Sequence, residues 1–377
     1  MKTALVTGAA GFIGRHLVEA LRRKTMMRVI EVDTSTNETD FTQGLGKADI
    51  VFHLAGVNRP ESEAEFETGN VGFTKKICAH LEKQGQTPLI VFSSSIHATL
   101  ENPYGISKRH AEAALRSWSA RTGGRVAIFR LKNVFGKWCR PNYNSVIATF
   151  CNNIAKGLSV NVSDADHELD FIYIDDVVEA LLEVENGLIV SEKCGLMEIQ
   201  KSHKITLGRL AEKIHKFKDS RATLELPTLS DEFDRRLYAT YLSYLDETNL
   251  AYSLSLKSDC RGSLAEFIKN PHFGQVFLSR TTPGVMRGNH FHHTKAEKFL
   301  VLEGKAIIRL RRLDSETIVE YCVAGSDFKV VDIPPGYVHS IQNVGDSELV
   351  TLFWASEIFN PSVPDTNVLG VLPSKTG

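Results

Sequence analysis

The 377-residue sequence is short of several things, and each shortage excludes a class of protein. It has six cysteines (Cys78, Cys139, Cys151, Cys194, Cys260 and Cys322), and no two form a C-x-x-C pair. A disulfide-built secreted scaffold is therefore excluded, and reduced intracellular thiols are expected. No apolar run approaches the roughly 20 residues of a membrane span, so no membrane partner is expected. Neither sign of charge is in surplus: 44 Lys+Arg against 45 Asp+Glu leave a formal charge of -1. Without a positive field, nucleic acid is not an expected partner. Internal repeats and low-complexity tracts are missing too. The opening MKTALVTGAAGF reads as a first strand and its turn rather than a signal peptide, because glycines interrupt the short apolar stretch. A cytoplasmic location is the expectation.

What is present is an ordinary globular composition, 42% hydrophobic and 24% charged. At roughly 150 residues per domain the length suits two to three domains. TALVT (3–7), RVIEVD (28–33), DIVFHLAG (49–56), PLIVFSSS (88–95) and RVAIFRL (125–131) read as strands. Helical spacing fills the gaps, as at 70–83 and 107–120. Strand alternating with helix predicts an α/β fold with a doubly wound parallel sheet. Near residue 245 the texture changes. LYATYLSYL reads as a closing helix; after it KFLVLEGKAIIRLRRL, ETIVEYCV, FKVVDIP and ELVTLFWAS alternate apolar and polar residues. That alternation, with Gly, Pro and Asp turns, predicts a separate all-β sandwich or barrel. The expected domains are 1–247 and 248–377.

Gly8-x-x-Gly11-x-x-Gly14 follows the first strand and opens a helix. In that context the first glycine permits a tight turn, the second lets the backbone approach a pyrophosphate, and the third lets helix and strand pack closely. The helix N-terminus then offers free N–H groups to the phosphates. Asp33 ends the second strand, 19 residues after Gly14, where a carboxylate accepts hydrogen bonds from a ribose 2′-OH. That favours NAD, and Arg15 and Arg59 are the cations that could offset it. Tyr104 and Lys108 stand four apart, on one side of a helix. An ammonium there is expected to lower the tyrosine pKa from about 10, making Tyr104 an acid or base near neutrality. Ser93-Ser94-Ser95 offers hydroxyls to a substrate carbonyl.

TGAAGFIG, HLAG (53–56), Asn70, SSS, Y-x-x-x-K, RLKNVFG (130–136) and DFIYIDDVVEAL (170–181) together resemble the extended short-chain dehydrogenase/reductases, which act mainly on nucleotide sugars. The resemblance covers residues 1 to about 245 and implies a Rossmann-type sheet. It implies Ser95, Tyr104 and Lys108 as catalytic triad, with Lys108 also holding the nicotinamide ribose. It adds Phe12, Ile13, Leu54, Ala55 and Gly56 to the cofactor-binding residues. Ser95 and Tyr104 are only nine residues apart, shorter than the family interval, so the loop is trimmed and Ser94 could take the serine's place. Asp175-Asp176 is read as a helix cap rather than a catalytic pair.

His290-x-His292, Glu297 and the more distant His339 form a second constellation. On a strand, residues two apart share a face, so His290 and His292 can hold one ion, with Glu297 and His339 completing the set. Three imidazoles and a carboxylate suit zinc or another divalent metal. His293 points the other way. HxH-x4-E-x6-G followed by PxG-x2-H-x3-N resembles both motifs of the cupin superfamily, which implies a small β-barrel with the metal in its mouth. Asp259-Cys260-Arg261-Gly262 is similar to a segment of cupin-fold nucleotide-sugar 3,5-epimerases. That implies a diphosphate contact for Arg261, which a plain structural salt bridge matches equally well.

Taken whole, GVNRP (56–60), NPYGISK (102–108), FGKWCRPNYNSVIATFC (135–151) and GNHFHHTKAEKFLV (288–301) resemble a family of bifunctional capsular-polysaccharide enzymes of bacterial UDP-N-acetyl-L-fucosamine synthesis. The resemblance implies metal-dependent C3 epimerisation of a UDP-2-acetamido-2,6-dideoxy-4-hexulose in the cupin, then C4 ketone reduction in the first domain. That family uses NADPH, so NADP is the first expectation and NAD stays open because of Asp33. A homodimer is expected. Tyr337 and Lys298 are the near-motif candidates for the cupin's base. The competing reading is an NAD-dependent nucleotide-sugar epimerase or dehydratase with a non-catalytic, dimerising cupin.

Overall fold

The computed structural model describes residues 1–24, 26–185 and 194–372. Residues 1–215 with 231–246 form one compact unit, and 216–230 with 247 onward form a second.

The first unit is built on six parallel strands in the order Arg28–Val32, Thr3–Thr7, Ile50–His53, Leu89–Ser95, Val126–Leu131, Cys194–Met197. This is the doubly wound sheet expected of the sequence. Its central strands are apolar throughout because both faces are covered. Ala4, Val6, Phe52, Val91 and Phe129 pack to one side with Leu17, Leu21, Val177 and Leu181. Leu5, Val51, Ile90, Phe92 and Ile128 pack to the other with Ile77, Leu81, Leu115 and Trp118. Strand order reverses between Thr3–Thr7 and Ile50–His53, so a crevice opens at the carboxyl ends of these strands. The strands end earlier than the apolar runs suggest: Asp33 and residues 54–56 of HLAG lie just beyond them.

Two helices frame that crevice. Phe12–Lys24 starts directly after the glycine turn. Pro103–Thr122 is started by Asn102, whose Oδ1 accepts from Gly105 N at 2.8 Å, with Pro103 in the first turn. The helix expected at 70–83 begins as a wider π-turn, Glu67–Gly72, before the α-helix Phe73–Gln84. A small three-stranded sheet joins Asn133–Phe135, Glu168–Tyr173 and His203–Thr206. No helix among the described residues is long and apolar enough to cross a membrane.

The two sheets of the second unit are antiparallel. One sheet runs Leu256–Asp259, Gly262–Asn270, Gly274–Thr281, Leu349–Ala355, Glu297–Glu303, Val330–Ile333; the other runs Ile318–Ala324, Lys305–Arg312, Tyr337–Asn343, Met286–Phe291, Asn367–Val368. Phe299, Val301 and Phe353 from the first meet Ile308, Leu310 and Ile341 from the second. The run KFLVLEGKAIIRLRRL is two strands, divided at Gly304, whose φ of 86° lets the chain turn from one sheet to the other. Residues 224–226 join this unit through Leu226 N to Lys269 O and Lys269 N to Leu224 O, each at 2.8 Å.

Candidate active sites

The glycine turn closes against the HLAG segment. Gly8 has φ 67°, and a Cβ there would stand 2.9 Å from the Ala55 backbone. Leu54 N donates to Thr7 O and Ala55 N to Thr7 Oγ1, so Leu54, Ala55 and the first glycine line one wall. Arg15 N donates to Gly11 O as the helix Phe12–Lys24 begins, which leaves earlier amides free at its N-terminus. Phe12 and Ile13 pack under the turn on the sheet's first core.

Asp33 is held in a local turn. Its Oδ1 accepts from Ser35 N at 2.8 Å and Ser35 Oγ at 2.7 Å, bonds that keep its carboxyl below the usual range. The Arg15 guanidinium donates to Trp138 O at 2.6 Å rather than turning to Asp33. Arg59 is exposed on the turn after HLAG.

Tyr104, Lys108 and Glu112 fall in line along the helix Pro103–Thr122. The Ser95 side chain lies beside the Tyr104 phenol and accepts from His97 N at 3.2 Å. Ser94 points elsewhere and donates to Glu112 Oε1 at 2.5 Å. Glu112 also takes both arms of Arg130, at 2.9 and 2.7 Å, which makes Ser94 part of a buried ion pair. Lys108 is buried and donates to Ser93 O at 2.9 Å. It also lies against the HLAG turn: a Cβ on Gly56 would stand 3.1 Å from both Lys108 Nζ and Asn70 Oδ1. Asn70 closes the set, accepting from Val57 N at 2.8 Å and donating to Ser107 Oγ at 2.9 Å. Beside Ser95 a cavity of about 290 Å³ is lined by Ile96, Arg130, Lys132, Ile172 and Met197.

One electrostatic expectation is corrected. Lys108 was to lower the Tyr104 pKa; instead burial raises it, and the Ser95 hydrogen bond opposes that rise. The lysine itself is pulled down to about 8 by burial, with Glu112 opposing. Desolvation outweighs the mutual field because the ammonium is committed to the Ser93 carbonyl. Asp176 is likewise more than a cap. It is buried, and Arg236 grips it with two bonds of 2.5 and 2.8 Å.

In the second unit the strand Met286–Phe291 carries a bulge at Asn289, with φ 60°, which makes His290 the cross-strand partner of His339. His292 lies just past the strand end, tied by Gly336 N to its carbonyl at 2.7 Å. Glu297 opens the next strand facing inward. Ligand atoms of His290, His292, Glu297 and His339 all lie within 4.8 Å of one another. Glu297 Oε2 is 3.4 Å from His292 Nε2 and 3.3 Å from His339 Nε2. His339 Nδ1 meets Tyr337 O at 3.2 Å and His292 Nδ1 meets Asp365 O. A carbonyl only accepts, so both Nδ1 atoms carry a hydrogen, which in the neutral ring leaves Nε2 as the acceptor. These buried Nε2 atoms have no hydrogen-bond partner. Lone pairs converging on a carboxylate are what a cation would satisfy, so the four residues fit a divalent metal. Burial, then the neighbouring imidazoles His339 and His292, pull His290 down to about 4.

His293 stands outside the cluster and is exposed. Lys298 is exposed and paired with Asp332, so it does not face the cluster. Tyr337 packs on the inner core. The Arg261 guanidinium lies on Asp259, with Nε 3.0 Å from Oδ2, and is half exposed. Two participants were missed by the sequence reading. Glu112 carries a signal, its i+4 spacing from Lys108; Asp365, 73 residues after His292, carries none.

Residues 4–186 match the NAD dependent epimerase/dehydratase family, and residues 257–367 match the polysaccharide biosynthesis C-terminal domain. A UDP-2-acetamido-2,6-beta-L-arabino-hexul-4-ose reductase of Pseudomonas aeruginosa is 38% identical over 367 residues, covering 97% of this chain and 98% of its own. The crystal structure of the capsular polysaccharide assembling protein CapF from Staphylococcus aureus matches with a TM-score of 0.90 and 44% identity, over 98% of this chain and 100% of the other. A UDP-N-acetylglucosamine 4-epimerase from Methanobrevibacter ruminantium shares the fold of the first unit at 23% identity and a TM-score of 0.54, over 64% of this chain and 98% of the other. With both units matched at near full length, the chain belongs to the CapF family of capsular-polysaccharide enzymes, NAD(P)-dependent oxidoreductases and epimerases of nucleotide sugars that join a short-chain dehydrogenase fold to a cupin.

Proposed function

We propose that this enzyme epimerises C3 of a UDP-2-acetamido-2,6-dideoxy-4-hexulose in its cupin (248–377) and then reduces C4 in its short-chain dehydrogenase domain (1–247), towards UDP-N-acetyl-L-fucosamine. The observation that carries this reading is one chain bearing both a Ser95–Tyr104–Lys108 constellation and a buried three-histidine, one-glutamate cluster with orphaned nitrogens. A divalent ion held by His290, His292, Glu297 and His339 supplies Lewis acidity, which makes a proton beside a ketone easier to remove. Removal and return of that proton on opposite faces inverts C3.

NADPH held along the glycine turn would supply the hydride for C4. Tyr104 gives the proton to the forming alkoxide, Ser95 hydrogen-bonds the ketone oxygen, and Lys108 binds the nicotinamide ribose and keeps positive charge beside Tyr104. Gly8, Gly11, Gly14, Leu54, Ala55 and Gly56 let the cofactor approach the backbone. NADPH ranks above NADH on the resemblance to the NADPH-using family, although Asp33 keeps its charge. The protein acts in the cytoplasm as a homodimer.

Proton NMR of the 4-keto substrate in D2O tests the order of events. C3 deuterium exchange without NADPH, followed by loss of the ketone on its addition, is the expected result. Reduction without any C3 exchange would leave a reductase with a non-catalytic cupin and defeat the proposal.

A further inference from the structure

Two imidazoles of the cluster rest a ring nitrogen on a backbone carbonyl. For His339 that carbonyl is two residues back, on Tyr337. For His292 it belongs to Asp365, 73 residues ahead. The same residue's carboxylate gathers the loop that follows His292. Oδ1 accepts from His293 N at 2.8 Å; Oδ2 accepts from Thr294 N at 2.9 Å, Lys295 N at 3.1 Å and Thr294 Oγ1 at 3.1 Å. Three successive amides thus close on one anion, a backbone nest with its ion supplied in cis.

Asp365 is itself fastened. Asn367 and Val368 pair with Phe291 and His290, antiparallel to the ligand strand. Leu369 N donates to Asn289 O at 2.9 Å and Val371 N to Asn289 Oδ1 at 3.2 Å, on the bulge that sets His290. The Arg311 guanidinium holds the carbonyls of Val371 at 3.0 Å and Gly370 at 2.9 Å, and the Val371 side chain is fully buried. The chain from 365 to 371 therefore forms a strap along the outside of two ligands.

We propose that Asp365 is a positioning residue for the metal centre, and that the 365–371 strap fixes His292 with Nε2 turned inward before any ion arrives. This rests on the reading of the cluster as a metal site. An imidazole held with one nitrogen on a carbonyl is oriented and made more basic, and losing such a contact commonly costs 10–100-fold in metal affinity. Here the carboxylate and the carbonyl act together, since the first orders the loop on which the second depends.

The test measures zinc affinity of the full-length protein by competition with a chromophoric chelator, together with the visible spectrum of the Co2+ form. Asp365→Ala is expected to bind zinc roughly 10–100-fold more weakly and to change the Co2+ bands. Asp365→Asn, which keeps an oxygen for one or two of the amides, is expected between Ala and wild type. Arg311→Ala loosens the strap without touching the loop and is expected to weaken binding by a smaller factor. If Asp365→Ala does not fold, the Asn and Arg311 variants decide. Zinc affinities within twofold of wild type and an unchanged Co2+ spectrum in the folded variants would overturn the proposal, because a merely structural role lowers stability and leaves both readouts alone. A wild-type protein that takes up neither ion would overturn the metal reading, and this inference with it.

Discussion

His339 Nε2 stands 3.3 Å from Glu297 Oε2, and with Nδ1–H turned to the Tyr337 carbonyl a neutral imidazole offers that carboxylate only a lone pair. That juxtaposition is unfavourable in an empty site and favourable around a cation, so it separates metal binding from folding. Glu297→Gln puts an amide where the carboxylate was, and its N–H can donate to a bare imidazole nitrogen. Stability without metal should hold within about 1 kcal/mol, while zinc affinity falls by roughly 100-fold. Thermal unfolding in chelator and a zinc titration check the two halves. Equal losses in both would mean the glutamate is a plain structural partner.

Lys108 carries an opposite trade. Its pKa is pulled to about 8 by burial, against about 10.5 in the unfolded chain. Between those values the unfolded chain binds more protons, so stability rises with pH there; below about 8 the cost of the buried ammonium is fully present. Lys108→Met should therefore stabilise the cofactor-free protein at pH 7, by about 1–2 kcal/mol once the lost bond to Ser93 O is counted, and lose nearly all reduction. The gain should shrink as pH climbs from 8 towards 10. A destabilised variant at pH 7 would show that the ammonium's contacts outweigh its desolvation.

The neighbouring serines separate by partner. Ser95 lies beside Tyr104 and accepts from His97 N at 3.2 Å, and Ser94 donates to Glu112. Ser95→Ala should lower kcat for reduction by roughly 10–100-fold and cost about 0.5–1 kcal/mol of stability through the lost cap on His97 N. Ser94→Ala should cost more stability, about 1–2 kcal/mol, and spare kcat. Measuring kcat and thermal unfolding for both variants checks the assignment; a reversed pattern would exchange the two roles.

Much of this layout was legible in the residues. The apolar runs, the glycine turn and the change of period near residue 245 carry the α/β sheet and the antiparallel unit, because a buried parallel strand and a two-faced strand differ in periodicity. The histidine pair and Glu297 were legible because ligands recur at spacings that share a face. Burial was not. The sign of the Tyr104 shift depends on desolvation, which no spacing encodes, and Lys108's commitment to the Ser93 carbonyl appears only once helix and strand are docked. Asp365 was invisible for a related reason: it reaches His292 through a backbone carbonyl, which every residue type has, and its carboxylate meets the loop amides only after the chain has folded back over 70 to 72 residues. Residues 224–226 join the cupin-bearing unit by backbone pairing with Lys269, again without a side-chain signature.

Cofactor choice turns on Asp33. Its carboxylate accepts from Ser35 N and Oγ, bonds that hold its pKa low and so keep its charge, which weighs against the NADPH favoured by the family resemblance. A 2′-phosphate on the adenosine ribose would approach that charge, whereas a 2′-hydroxyl would donate to it. Asp33→Ser removes the repulsion and the acceptor together. KM for NADPH should fall by roughly 3–10-fold and KM for NADH should rise, with kcat nearly constant because the change lies far from the nicotinamide. The ionic strength dependence adds a sign. In wild type, salt screens a like-charge contact and should favour NADPH; in Asp33→Ser that benefit should vanish. If the substitution leaves both KM values and their salt dependence unchanged, the Ser35 turn has taken Asp33 out of cofactor recognition, and the basis for discrimination lies elsewhere along the crevice.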